Sequence, residues 1–176
     1  LNRLIQEFQH LANPNQAKNL QRFFKTGKGE YGEGDIFLGL TVPQQRLLAK
    51  KYSSLSLKEI EQLLHSNIHE QRLTALIILT NKYKKNPPER ESIYHFYLNN
   101  TKYINNWDLV DLSAPNIVGN FLLDKDRSIL QKLARSDSLW ERRIAILATF
   151  MFIKYHQFQD SLKLAEILQK DQHDLI

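Results

Sequence analysis

The sequence predicts an all-α protein, an α-solenoid of antiparallel helix pairs, and three observations carry that prediction. Apolar residues recur at the 3.6-residue period nearly everywhere, with no sustained two-residue alternation that would indicate a sheet. Leu occurs 28 times against 6 Gly and 5 Pro in 176 residues, a balance that favours helix. A segment also repeats: Glu70-Gln71-Arg72-Leu73-Thr74-Ala75-Leu76 aligns with Glu141-Arg142-Arg143-Ile144-Ala145-Ile146-Leu147, 71 residues further on.

The elements follow in order. Residues 1–12 place Leu1, Leu4, Ile5, Phe8 and Leu11 on one stripe of an amphipathic helix. A second helix begins at Pro14, whose fixed φ suits a first turn, and carries Leu20, Phe23 and Phe24. Residues 27–41 gather five of the six glycines and form the one irregular stretch. Helix resumes at Pro43 and runs through Arg46, Leu47 and Leu48 to Tyr52. Ser56, with Glu59 three residues on, makes a capping box for a helix ending near Ser66. Another helix covers 69–85, and Pro87-Pro88 breaks the chain before one bearing Ile93, Tyr94, Tyr97 and Leu98. The stretch 105–123 is helical, with Pro115 expected to kink or end its first half. Helices near 126–135, 138–155 and 159–170 complete the order.

Halving the repeat offset puts a middle copy at Asn106-Trp107-Asp108. Two helices per about 36 residues is close to the HEAT and armadillo repeats, whose arrays curve and line a groove with their inner helices. Residues 1–176 thus read as a single helical-repeat domain. The non-Met start and the apolar Leu175-Ile176 suggest a piece of a longer protein; the family resemblance described below implies a further C-terminal repeat.

Lys and Arg number 24 and Asp and Glu 19, a net charge of +5 that suits a polyanionic partner without specifying one. The chain has no Cys, which excludes disulfides, thiol catalysis and Cys-based zinc sites. No apolar run reaches the ~20 residues of a membrane span, and Leu1-Asn2-Arg3 has no signal-peptide character, so the expected location is cytoplasmic.

Several patterns invite a chemical reading. Gly27-Lys28-Gly29-Glu30-Tyr31-Gly32 spells G-x-G-x-x-G, but a helix precedes it, and Glu30 and Glu33 would repel phosphate. His65 and His69 straddle a helix break and lack a third ligand, so no metal site is expected. Trp107 and Asp111 are four apart, which puts an indole and a carboxylate on one helical face. The alternative is that Trp107 is core and that Asp108 and Asp111 serve the helix terminus. Arg143 opens the inner helix of the next repeat, one period after Asp108 and two after Arg72, within Trp140-Glu141-Arg142-Arg143. A merely solvated Glu-Arg face is the competing reading there. Lys25, Lys28, Arg46, Lys50, Lys82, Lys84, Lys85 and Lys154 are candidate phosphate contacts along such a lining.

Three segments then resemble the AlkD-type DNA alkylation repair glycosylases, which are built from HEAT-like repeats. They are Tyr31-Gly32-Glu33-Gly34-Asp35-Ile36-Phe37-Leu38-Gly39-Leu40 with Pro43 and Arg46, then Asn106-Trp107-Asp108-Leu109-Val110-Asp111, then Trp140-Glu141-Arg142-Arg143-Ile144-Ala145. The resemblance implies that Trp107, Asp111 and Arg143 form an excision site releasing N3- or N7-alkylated purines from duplex DNA, without a metal or organic cofactor. Together with the basic residues of the predicted lining, the expected DNA-contacting set is Phe23, Lys25, Lys28, Arg46, Arg72, Arg142 and Lys154, with Phe23 standing where the family has Tyr. The partner the resemblance implies is duplex DNA carrying alkylated purines, met by a monomer away from any membrane. Two other readings remain open, a non-catalytic DNA-binding solenoid and a protein-binding HEAT scaffold. Asp111 speaks against the first, because a carboxylate facing phosphate costs affinity unless it does chemistry.

Overall fold

The computed structural model describes all residues 1–176. It is all-helical, with ten α-helices and no strand, and the lone bridge between Ile36 and Ile68 joins a loop to the start of a helix. The chain divides into two compact units, Leu1–Lys82 and Tyr83–Ile176. No helix is long and apolar enough to cross a membrane.

The first unit holds α1 (Asn2–His10), α2 (Pro14–Phe23), α3 (Val42–Lys51), α4 (Leu57–Leu64) and most of α5 (His69–Lys85). The starts of α2 and α4 have local causes. Asn13 accepts the Gln16 N–H ahead of Pro14. Ser56 and Glu59 close the expected capping box on α4, the carboxylate taking the Ser56 N–H at 2.9 Å. Leu4 and Phe8 of α1 and Ile60, Leu63 and Leu64 of α4 are buried.

The irregular stretch 27–41 is held by two buried carboxylates. Glu70, in the first turn of α5, accepts the N–H groups of Leu38 (3.1 Å), Gly39 (2.8 Å) and Leu40 (3.2 Å). Asp35 receives Nδ1 of His69 at 2.9 Å and Nη2 of Arg72 at 2.6 Å, with all three side chains nearly sealed from water. The His69 ring stacks on Phe37 with centroids 4.5 Å apart.

Burial alone would raise the Asp35 pKa, but the His69 hydrogen bond and the Arg72 charge outweigh it and hold the carboxyl below the usual range. A depressed folded-state pKa means that its stabilisation is present above about pH 4, the unfolded value, and is lost as pH falls through the folded one. Asp35→Asn should therefore lower stability at pH 7 by about 3 kcal/mol, as expected when one partner of a buried pair is removed. The gap from wild type should close in denaturant melts as pH drops below 4.

The second unit contains α6 (Arg90–Asn99), α7 (Trp107–Ala114), α8 (Ser128–Leu133), α9 (Leu139–Lys154) and α10 (Gln159–Leu168), with short 3₁₀ turns at Pro87–Glu89 and Thr101–Tyr103. Of the two outcomes expected at Pro115, a kink or an end, the helix does not end there. The Pro115 φ of −61° and ψ of −39° are helical, and α7 runs on through one wide π-turn, Pro115–Gly119. A proline has no N–H for the Asp111 carbonyl and crowds it, so the turn loosens rather than breaks. Helix α9 packs against α7, the π-turn, α8 and α10. At the π-turn a Cβ on Gly119 would lie 2.2 Å from the Ala148 carbonyl oxygen, so this approach requires glycine. Arg127 ties the outer elements, donating to the Leu122 carbonyl at 2.9 Å and to Asp160 at 2.7 Å, with its guanidinium 3.8 Å from the Phe152 ring centre.

The three segments that the repeat singles out each open a helix: Glu70 sits in the first turn of α5, Asn106 caps α7, and Glu141 sits in the first turn of α9.

Candidate functional site

The site grows from the start of α7. Asn106, fully buried, turns its side-chain oxygen onto the Trp107 N–H at 2.8 Å and begins the helix. The helix is regular through Ala114, so Trp107 and Asp111 share one face. Asp108 serves the helix terminus, its carboxylate taking the Leu109 N–H at 2.9 Å. Asp111 has a different partner.

Its two oxygens receive Nε and Nη2 of Arg143, both at 2.8 Å, a bidentate pair between α7 and the N-terminal part of α9. This is the strong, orientation-specific form of a charge-assisted hydrogen bond. The Asp111 side chain keeps 35% of its surface open and Arg143 only 16%, so the carboxylate stays reachable while its anchor is held. On the buried side of α7 the Tyr97 hydroxyl meets Ser113 Oγ at 2.9 Å, and burial pushes the Tyr97 pKa up.

The rest of this part of α9 is also engaged. Glu141 accepts from Thr101 Oγ1 at 2.7 Å. Arg142 grips Asp171 through Nε (2.6 Å) and Nη2 (3.2 Å), while its Nη1 donates to the carbonyls of Ser136 and Asp137, both at 3.0 Å. Arg143 Nη1 also donates to the Leu175 carbonyl. The solvated Glu-Arg face considered from the sequence is thus a set of specific pairs. Periodicity could not reveal Thr101, Asp171 or the Leu175 carbonyl as partners. The sole signal was the demand that two adjacent half-buried arginines make for acceptors.

Trp107, Asp111, Arg142, Arg143 and Lys154 belong to the second unit, whereas Phe23, Lys25, Lys28 and Arg46 belong to the first. Phe23 is 64% exposed and meets Phe24 edge-on at 5.2 Å. Lys25, Lys28, Arg46 and Lys154 are exposed. Arg72 differs from the expectation: it is buried, with Nη2 on Asp35 and Nη1 on the Ser66 carbonyl at 2.9 Å. A phosphate would have to displace an internal carboxylate to reach it, so Arg72 supports the loop rather than a ligand. The G-x-G-x-x-G run is likewise turned inward, with Glu30 and Glu33 accepting the N–H groups of Gly27 and Gly29 at 2.7 and 2.8 Å. His65 caps the end of α4, and His69 is spent on Asp35.

Compared with models of known families, the chain matches one described as DNA alkylation repair enzyme over residues 4–176. Among curated proteins none matches.

Proposed function

Because the chain belongs to the DNA alkylation repair enzyme family, we propose that it is an AlkD-type glycosylase, excising cationic N3- or N7-alkylated purines from duplex DNA. The observation that carries this reading is the bidentate Asp111–Arg143 pair on the same face as Trp107. Alkylation leaves the purine positively charged, so it departs with the glycosidic electron pair as a neutral base and needs little general-acid help. What remains is an oxocarbenium-like sugar, which a fixed carboxylate stabilises electrostatically. Water then adds at C1′ and loses a proton to solvent.

Asp111 faces that developing charge and orients the water. The Trp107 indole holds the cationic nucleotide by a cation–π contact worth about 0.5–2 kcal/mol. Arg143 fixes Asp111 with one edge, and its remaining N–H donors serve the phosphate beside the lesion. Further DNA contacts come from the exposed Phe23, Lys25, Lys28 and Arg46 of the first unit and, independently, from Arg142 and Lys154 of the second. The chemistry asks for no metal or organic cofactor.

Duplex binding tests the partner. If about five phosphates are neutralised, log K should fall with log salt at a slope of roughly −4 to −5, and Lys154→Ala should flatten it by about 1. Trp107→Ala should erase the preference for methylated over unmodified duplex while leaving most of the salt slope. Salt-independent binding, or none at low salt, contradicts the reading and favours a protein-binding scaffold.

A further inference from the structure

Helix α7 continues past Pro115 with one residue more than a regular helix would hold. The Asn120 N–H reaches back five residues to the Pro115 carbonyl, the mark of the π-turn. Two features keep the start of this turn open. Pro115 brings no N–H to the Asp111 carbonyl and crowds it, and the Asn116 side chain donates its Nδ2 to the Leu112 carbonyl at 2.8 Å.

The extra residue changes which side chains share a face. Successive residues of an α-helix turn by about 100°, so Asp111 and Gly119, eight apart, would differ by about 80° in a regular helix. Taking in one extra residue reduces the separation to that of seven, about 20° the other way. Both residues do meet α9. Asp111 receives Nε and Nη2 of Arg143, and the Cβ position of Gly119 points at the Ala148 carbonyl oxygen and the Met151 Cβ. Gly119 and Ala114, five apart, are both buried. Leu112 and Pro115, beside which a regular helix would set Gly119, are half-open to solvent. A regular helix docked at Gly119 would swing Asp111 away from Arg143.

From this we infer that Pro115 is a positioning residue: it holds α7 open by one residue and so turns Asp111 onto Arg143 while Gly119 stays docked on α9. The effect expected on excision rests on the proposed role of Asp111, whereas the orientation of the pair is independent of it.

The test compares wild type, Pro115→Ala and a variant with Pro115 deleted. Alanine restores the N–H that lets the helix close with eight steps between Asp111 and Gly119. The deletion closes it with seven and keeps the two on one face. The first readout is solvent exchange of the Arg143 Nε–H by NMR, its signal assigned by loss in Arg143→Lys. Pro115→Ala should speed that exchange about tenfold as the charge-assisted bond is lost, and the deletion should return it to within about threefold of wild type. The second readout is single-turnover release of N7-methylguanine. Pro115→Ala should slow release about tenfold with duplex affinity within about twofold, and should slow it no further in an Asp111→Asn background, since the proline acts through that carboxylate. A proline that merely stabilises the helix gives the reverse order, with the deletion worse than the substitution and the double variant additive. Either result overturns the inference, as does wild-type exchange in Pro115→Ala. If Pro115→Ala does not fold, the deletion decides alone: slow Nε–H exchange supports the inference and fast exchange overturns it. If the exchange pattern holds but no form of the protein, wild type included, releases the base, the positioning stands and the glycosylase reading falls.

Discussion

Asp111→Asn should slow release of N7-methylguanine from methylated duplex by on the order of 10²–10³-fold, the range typical of losing one electrostatic stabiliser. Asparagine keeps the shape and one acceptor for Arg143 but removes the charge that, in the proposed mechanism, faces the sugar cation. Some stability should be lost with the bidentate pair, but the 35% exposure of Asp111 keeps that loss below the cost of breaking a fully buried pair. Arg143 also retains its bond to the Leu175 carbonyl. DNA binding should hold or tighten, since on the proposed reading a negative charge leaves the surface that meets phosphate. If Asp111 serves only to join α7 to α9, the opposite pattern appears: the melting temperature falls and excision per folded molecule is unchanged. Rates and melts on the same preparations separate the two.

The largest expected loss of stability is at Gly39. Its φ is +88°, and a Cβ there would lie 2.1 Å from the Asn13 carbonyl oxygen and 2.7 Å from the Ala17 nitrogen. Both atoms are backbone at the start of α2, where the Asn13 carbonyl accepts the Ala17 N–H and the Asn13 N–H donates to Leu38. Neither can yield without breaking the helix start. The left-handed conformation alone costs a non-glycine residue about 1–3 kcal/mol, and the overlap adds to it. Gly39→Ala should cost about 5 kcal/mol or more, placing it among the exceptional substitutions. Thermal melts should show a large drop or no folded protein. A melting temperature within a few degrees of wild type contradicts this packing.

The helices were legible where the cause is local. Pro14 in a first turn, the Ser56–Glu59 box and the 3.6-residue stripes depend on neighbours within a turn, and their elements start within a residue or two of expectation. The 71-residue repeat located the starts of α5, α7 and α9. It could not say which way a repeated arginine turns. Arg72 and Arg143 occupy equivalent positions, yet Arg72 is buried on Asp35 from an irregular loop, whereas Arg143 reaches Asp111 across a helix pair. The difference comes from partners 37 and 32 residues away, beyond the reach of periodicity. Pro115 shows the same limit. A disruption at Pro115 is legible in the sequence, but whether a helix ends or widens there depends on the packing of α9 behind the π-turn. Trp107 and Asp111 were legible as one face, and the bidentate geometry that singles out Asp111 from Asp108 was not.

The most direct test of the central claim is a single-turnover assay of the wild-type protein on duplex DNA bearing N7-methylguanine, with released bases separated and identified. The proposed chemistry predicts free N7-methylguanine and an abasic site in the same strand, formed without added metal and well above the spontaneous rate. Protein that binds this duplex but leaves the methylated base at the spontaneous rate contradicts it, and marks the fold as a DNA-binding module without excision.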